Sequence, residues 1–263
     1  MNAAAMLSMG AVAILLLFFL AWAWAVKINN YSLVDAVWAF SIGLTGLFWL
    51  TVGSAGSKQW VAAMLVLIWS ARLGIHLSKR IRKLHPTEES RYQKLREHWS
   101  GREKSMFFAF FEGQAISVLM LALPFFFIGR DGGGFGTWEV VGAAVSLLAI
   151  FGETLADHQM TAFRNRSGNS GAVCNVGLWR YSRHPNYFFE FLIWVGFYIY
   201  ACGSQSGWMM VHAPILILFL LLRVTGVPTS EASSLASKGD RYRRYQQTTS
   251  VFIPLPPRNS GSL

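Results

Sequence analysis

The stretch Ser182-Arg183-His184-Pro185-Asn186-Tyr187-Phe188-Phe189-Glu190 runs straight into Phe191-Leu-Ile-Trp-Val-Gly-Phe-Tyr-Ile-Tyr-Ala201. The second half is an apolar segment of the kind that enters a lipid bilayer. The first half sets a cation, an amide, a phenol and a carboxylate at its mouth. A helix that only anchored the chain would open with Leu, Trp or Lys. Hydrogen-bonding groups at that depth are costly to bury unless they hold something. The junction therefore reads as the start of a membrane helix and as part of a site.

The rest of the chain has the same apolar character. Of 263 residues, 53% are hydrophobic, 15% aromatic and 14% charged, and the mean hydropathy is +0.37. Soluble domains carry about 25% charged residues, so this composition belongs to an integral membrane protein. Apolar windows at about 6–26, 32–53, 59–78, 106–129, 137–157, 187–203 and 207–223 approach the ~20 residues that cross a hydrocarbon core of ~30 Å. They predict an all-α membrane protein of about seven transmembrane helices, folded as a single domain over 1–263. The first window lacks a basic leader and is too long for the apolar core of a signal peptide, so it reads as a helix.

The net charge of +10 invites a nucleic-acid partner, but the placement of the charges argues for none. With seven spans and the N-terminus outside, only Lys58 and Arg130 of the basic residues fall in outer loops. Lys27, the run Lys79 to Lys104, Arg164 to Arg183 and the tail from Arg223 onward fall inside. The positive-inside rule then sets the N-terminus out and the C-terminus in the cytosol, and attraction to lipid headgroups accounts for most of the basic excess. That places the chain in the inner membrane of a bacterium or in the endoplasmic reticulum of a eukaryote. Cys174 and Cys202 fall near opposite faces and imply neither a disulfide nor a metal site.

The polar segment 79–105 reads as a solvated cytosolic connector, with a short surface helix around Arg91, Lys94, Glu97 and Trp99. The loop Arg166-Ser-Gly-Asn-Ser-Gly171 reads as flexible, and its overlapping Asn165-Arg166-Ser167 lies on the wrong side for glycosylation. The tail, about 224–263, holds an Arg/Tyr run from Arg241 to Tyr245 that reads as an amphipathic interfacial helix. Asp131-Gly132-Gly133-Gly134-Phe135-Gly136 imitates a phosphate loop, but no strand precedes it and no Lys-Ser/Thr pair follows, so it reads as a turn.

Carboxylates inside membrane helices carry the next signal, since each costs about 2.5–3.5 kcal/mol at a helix centre. Asp35 lies early in the second window, Glu112 in the fourth, Glu153 and Asp157 late in the fifth, and Glu190 at the start of the sixth. Glu153 and Asp157 share a helix face, as do Asn186 and Glu190. The pattern predicts a polar cavity open to the cytosol. Arg164, Arg183, His184 and Arg223 stand at its mouth for phosphates, and neutral and acidic groups lie within for ribose and an amide. This fits a nucleotide cofactor with its reactive ring inward. Asp35 and Trp38 project from another helix. A carboxylic acid in an apolar pocket can stay protonated and donate a hydrogen bond to a carbonyl, and Glu112 could act likewise.

At these positions the chain resembles the steroid 5-alpha-reductase family, in its bacterial branch. The resemblance rests on Val34-Asp35-Ala-Val-Trp38, Trp69-Ser-Ala-Arg72, Glu153-Thr-Leu-Ala-Asp157 with Arg164, Gly177-Leu178-Trp179, Tyr181-Ser-Arg-His-Pro-Asn186-Tyr187 with Glu190, Arg223, and Tyr245 ahead of Phe252-Ile253-Pro254. It implies a seven-helix fold that binds NADPH and reduces an enone. Asp157, Arg164, Asn186, Glu190 and Arg223 match cofactor-binding positions. Glu153 stands where the animal enzymes have Asn. Tyr181, Arg183, His184, Tyr187, Arg241 and Tyr245 belong to the same expected cofactor set. Asp35 stands where the animal enzymes have a catalytic Glu, with Trp38 beside it as a substrate contact. Trp69 takes the place of a Tyr, and an indole N–H cannot give up a proton as a phenol can.

The expected activity is NADPH-dependent reduction of the C=C bond of an α,β-unsaturated ketone in an apolar substrate drawn from the bilayer, a 3-oxo-Δ4-steroid above all. The protein is expected to be monomeric and metal-free. The rival reading is an S-adenosylmethionine-dependent membrane methyltransferase of the isoprenylcysteine carboxyl type, which uses a related Arg-His-Pro box. It needs neither Asp35 nor an arginine cluster for extended phosphates. A transporter would show inverted repeats and broken helices, and the sequence has neither.

Overall fold

Asn2 opens the first helix: its Oδ1 accepts the N–H of Ala5 at 2.8 Å, as an N-cap side chain does. In the computed structural model, which describes residues 2–54, 56–166, 168 and 171–258, this helix is α1 (Ala3–Ile28). It ends where Asn29 turns left-handed, φ 53°, and the N–H of Asn30 returns to the Ala25 carbonyl at 3.0 Å. The Asn30 side chain then accepts the N–H of Ser32 and starts the 3-10 turn Tyr31–Leu33 that leads into α2 (Val34–Val52). There follow α3 (Ser57–Leu84), α4 (Ser90–His98), α5 (Glu103–Arg130), α6 (Thr137–Arg164), α7 (Pro185–Ala201), α8 (His212–Phe219), α9 (Val227–Lys238) and α10 (Asp240–Thr248). Among the described residues the only extended pairing is an isolated parallel bridge between Ser182 and Ser250.

Six helical stretches are long and apolar enough to cross a membrane: Ala3–Ile28, Tyr31–Val52, Ser57–Leu84, Glu103–Arg130, Thr137–Arg164 and the broken run Gly207–Lys238. The chain is a multi-pass membrane protein. Large apolar side chains face outward from these helices, Leu148 and Phe151 being 70% and 68% exposed, as lipid contact requires. The expected sixth span is α7. Its 17 residues rise ~25 Å at ~1.5 Å each, just under the hydrocarbon thickness.

Where a single domain is expected, the contacts divide the chain into two compact units, Met1–Ala143 with Tyr198–Ala213, and Ala144–Phe197 with Pro214–Leu263. In the first, α2 is the hub. The Trp49 indole donates to the Met6 carbonyl of α1 at 3.3 Å, and Ser70 of α3 donates to the Ala39 carbonyl at 2.9 Å. Trp49, Trp69, Phe111 and Phe125 are almost wholly buried around it.

The connector departs from expectation. α3 continues to Leu84, and the short helix foreseen in the polar run exists as α4. It is docked rather than solvated. Tyr92 is fully buried, and Trp99 packs edge-on against Phe107 at 5.0 Å. Arg96 pairs with Glu88 at 3.1 Å, and Glu88 accepts the backbone N–H of Tyr31. Aromatic residues inside a charged run supply the apolar face that lets the segment pack.

Lys58, foreseen in an outer loop, is 1% exposed at the start of α3. Its ammonium meets Asp131 at 2.7 Å, Glu139 at 2.8 Å and the Gly203 carbonyl at 2.7 Å. The glycine loop 131–136 is therefore no anion cradle. Its Gly133 and Gly136 amides donate to Asp131 and Glu139, so carboxylates occupy the place a phosphate would take.

In the second unit the seventh window does not run as one helix. α8 gives way to a π-helical turn, Leu220–Val224, which carries Arg223 and ends with the Thr225 N–H on the Leu220 carbonyl at 2.9 Å. Such widened turns concentrate at functional sites. The flexible loop expected at 166–171 falls partly outside the described residues.

Burial acts to raise the Asp131 carboxyl, but the Lys58 ammonium and the N–H groups of Gln205 and Gly133 prevail and hold it below the ordinary carboxylate range. Its contribution to stability is complete above that range and is lost as pH falls through the lowered value. The acid limb of the unfolding-temperature profile in detergent should flatten in Asp131→Asn. Lys58→Met leaves two buried carboxylates facing each other and should cost about 3–5 kcal/mol.

Candidate functional site

In the second unit the site region starts at the end of α6. A Cβ on Gly152 would lie 2.4 Å from the Phe189 ring, so α6 approaches the first turns of α7 with nothing to spare there. The neighbours of those two contact residues are Glu153 and Glu190, 4% and 6% exposed. Glu190 accepts the Trp194 indole N–H at 2.9 Å. One turn before Glu190, the side-chain oxygen of Asn186 is buried and has no hydrogen-bond partner among the described residues. A buried acceptor left in this state is rare in a folded chain. It marks a place for a donor.

The Gly177-Leu178-Trp179 motif fixes the loop that precedes the box. Gly177 holds φ +58°, and a Cβ there would strike the Gln159 amide at 2.5 Å, so only glycine fits. Gln159 accepts the Leu178 N–H at 2.9 Å, and the Trp179 indole donates to the Ala156 carbonyl at 2.9 Å. The motif thus staples the loop to α6 beside half-buried Asp157. Arg164 and Arg223 are exposed at the ends of their elements.

The Tyr-Ser-Arg-His box itself serves a different purpose from the one expected. Ser182 is fully buried and donates to the Phe252 carbonyl at 2.8 Å. Arg183 donates its backbone N–H to Ser250 and its guanidinium to the carbonyls of Gln246 and Thr249. The same guanidinium pairs with Glu231 of α9 at 2.9 Å, and His184 Nε2 lies 3.0 Å from that carboxylate. Tyr242 donates to it at 2.7 Å, and the Gln246 amide completes the set. Arg183 and His184 therefore do not stand free at a phosphate mouth. They clamp the tail. Tyr187 stacks on His184 and bonds to Ser230 at 3.0 Å. Exposed Tyr181 takes part through its backbone, donating its N–H to the Leu178 carbonyl at 3.1 Å and accepting the Leu255 N–H at 3.0 Å.

α10 also differs from the expected interfacial helix. Its apolar face, Tyr242 and Tyr245, is buried within the unit, and Tyr245 donates to the Trp179 carbonyl. Arg241 projects from the exposed face. Glu231 escaped the sequence reading because it sits in a Ser/Ala-rich segment taken for tail. Only its helix-forming surroundings hinted otherwise.

In the first unit, Asp35 lies in the opening turn of α2, where a carboxylate suits the helix dipole. It is not in an apolar pocket. Arg91 of α4 reaches its Oδ1 at 2.6 Å, and the Tyr92 hydroxyl donates to the same oxygen at 2.6 Å. Its oxygens thus act as acceptors for two donors of α4. Burial pushes the Tyr92 phenol well above its usual range, the Asp35 carboxylate adding to this against Arg91. Trp38 stacks edge-on against fully buried Trp69 at 6.3 Å and donates its indole N–H to Ser117 at 2.9 Å. Glu112 is half-buried within α5. Arg91 and Tyr92 were the residues missed, and Tyr92 next to an arginine in a polar run was the signal.

The sequence profile of a family described as protein of unknown function, DUF1295, matches residues 21–249. The chain belongs to the DUF1295 family. The match takes in every candidate residue from Asp35 to Tyr245 and stops before the Phe252-Ile253-Pro254 segment. An uncharacterised protein of Schizosaccharomyces pombe is similar to this DUF1295 chain, 25% identical over 261 residues that cover 89% of the chain and 75% of the relative. No solved structure matches.

Removing the acceptor at the centre of the clamp should unfold the tail first. Glu231→Ala leaves Arg183 and His184 largely buried without their carboxylate and should lower stability by about 3–5 kcal/mol. The checks are the thermal midpoint in detergent and faster proteolysis after residue 226. Unchanged values for both would refute the clamp.

Proposed function

We propose that this protein is a membrane reductase that uses NADPH to reduce the C=C bond of an α,β-unsaturated ketone carried by an apolar substrate, a 3-oxo-Δ4-steroid being the best fit. The observation that carries the reading is the buried, unmet acceptor of Asn186 one turn from Glu190. That arrangement suits the amide N–H of a nicotinamide carboxamide. Support also comes from membership of a family that includes steroid 5-alpha-reductase-like membrane proteins. In this reading the chain crosses the bilayer seven times, α7 included, with its N-terminus outside and its C-terminus in the cytosol.

The donor set on the second unit fits the cofactor. Asn186 accepts from the carboxamide, Asp157 and Glu190 accept from ribose hydroxyls, and exposed Arg164 and Arg223 offer cations to phosphates. When bound, the cofactor supplies hydride for the β-carbon of the enone. The protein's part is to hold the carbonyl oxygen as negative charge develops on it. We assign this role to Tyr92, whose buried phenol keeps its proton. A phenol has one proton, so donation to the substrate withdraws it from Asp35, whose carboxylate Arg91 continues to hold. Asp35 thus orients both donors. Water then protonates the α-carbon, and the enolate returns to the ketone.

Thermal shift of the purified protein in detergent separates the cofactor classes. NADPH should stabilise it, whereas stabilisation by S-adenosylmethionine alone would point to the methyltransferase. Asn186→Leu should weaken NADPH binding roughly tenfold. Tyr92→Phe and Asp35→Asn should keep the NADPH shift and lose turnover of an enone steroid by about 100-fold or more, the usual effect of removing an oxyanion donor. Full turnover in both variants would sink the assignment of the carbonyl-binding group.

A further inference from the structure

Beside the clamp in the second unit lies a cavity of ≈ 480 Å³ whose lining includes Arg180, Arg241 and Arg244 together with Asn175, Tyr245 and Thr248. We propose that this cavity is a binding site for a phosphate ester of a hydroxylated group, such as a sugar or polyol phosphate. It reassigns Arg241 and Tyr245, which the resemblance put in the cofactor set, and it does not rest on the reductase reading.

Four of the lining residues come from α10. Positions 241, 244, 245 and 248 are spaced i, i+3, i+4 and i+7, so they form one helical stripe. Tyr245 anchors the stripe by donating to the Trp179 carbonyl, which leaves Arg241 and Arg244 projecting beside it. Arg180 enters from the loop that Gly177 and Trp179 fix to α6. Two neighbouring basic residues have acidic partners: Arg183 is held by Glu231 and Arg243 lies 3.6 Å from Asp240. Among the described residues no ion pair engages Arg180, Arg241 or Arg244, and none of the lining side chains is acidic.

The surrounding charge has the same sign. Cys174, between lining residues Val173 and Asn175, lies in the field of Arg164 and Lys238. The negative end of α10 does not oppose an anion freely, because the Thr248 carbonyl already accepts the Arg258 N–H at 2.8 Å. Three guanidiniums converging without a carboxylate repel one another until an anion joins them, and phosphate oxygens match their donor geometry. The volume exceeds what a bare phosphate fills and lies in the range of small-molecule sites. Asn175 and Thr248 can hydrogen-bond to hydroxyls of the rest of the ligand.

Such an ester could be carried by a soluble sugar phosphate or by a lipid headgroup, and two arms of one experiment separate these. Thermal shift in detergent compares ribose 5-phosphate with ribose at matched ionic strength. Thermal shift in nanodiscs compares phosphatidylinositol phosphate with phosphatidylcholine alone. The wild type and the triple variant Arg180→Gln, Arg241→Gln, Arg244→Gln are run in parallel. The variant should melt unchanged without ligand, as these exposed arginines make no ion pair among the described residues. Stabilisation of the wild type by a phosphorylated probe, with affinity roughly tenfold or more weaker in the variant, supports the site. The arm in which it occurs names the source. No stabilisation in either arm, or an equal response from the variant, overturns the proposal.

Discussion

Four side chains from two separate segments converge on the Glu231 carboxylate: Arg183, His184, Tyr242 and Gln246. Everything at this end of the second unit depends on that convergence. Arg183 also draws in the Gln246 and Thr249 carbonyls, Ser182 holds Phe252, and Tyr245 ties α10 to Trp179. An arginine with bonds in so many directions is fixed in place. A charge this deep survives only because its partners satisfy nearly every donor.

The same constraint recurs in the first unit. Asp35 is matched by Arg91 and Tyr92, and Lys58 by Asp131 and Glu139. Membrane proteins must neutralise charges near the hydrocarbon, and this chain does so by pairing helices with the polar segments between them. α4 and the glycine loop are therefore structural parts of the fold rather than slack connectors. The Asn186 oxygen and the arginines 180, 241 and 244 are among the polar groups left outside this pairing.

Much of the architecture was legible in the chain. Apolar runs of about 20 residues identify membrane helices because the bilayer sets one length for all of them, and six of the seven windows met that criterion. Glycine 177 and Trp179 were legible as a motif, though not as the staple they form. The carboxylates and arginines were legible as costly residues that must hold something. The sequence reading erred in what they hold, assigning Arg183 and His184 to phosphate and Asp35 to an apolar pocket.

The sequence by itself determined the class of protein, the helix positions and the set of polar residues that needed partners, since hydropathy and spacing are local properties. Only the tertiary structure decided the pairings. Arg183 and Glu231 are 48 residues apart, and Arg91 and Asp35 are 56 apart. No periodicity links such distant positions, and a guanidinium binds a carboxylate or a phosphate equally well. Which one it meets depends on where the chain brings it. In this fold Arg183 and Arg91 meet carboxylates, and among the described residues Arg180, Arg241 and Arg244 meet none.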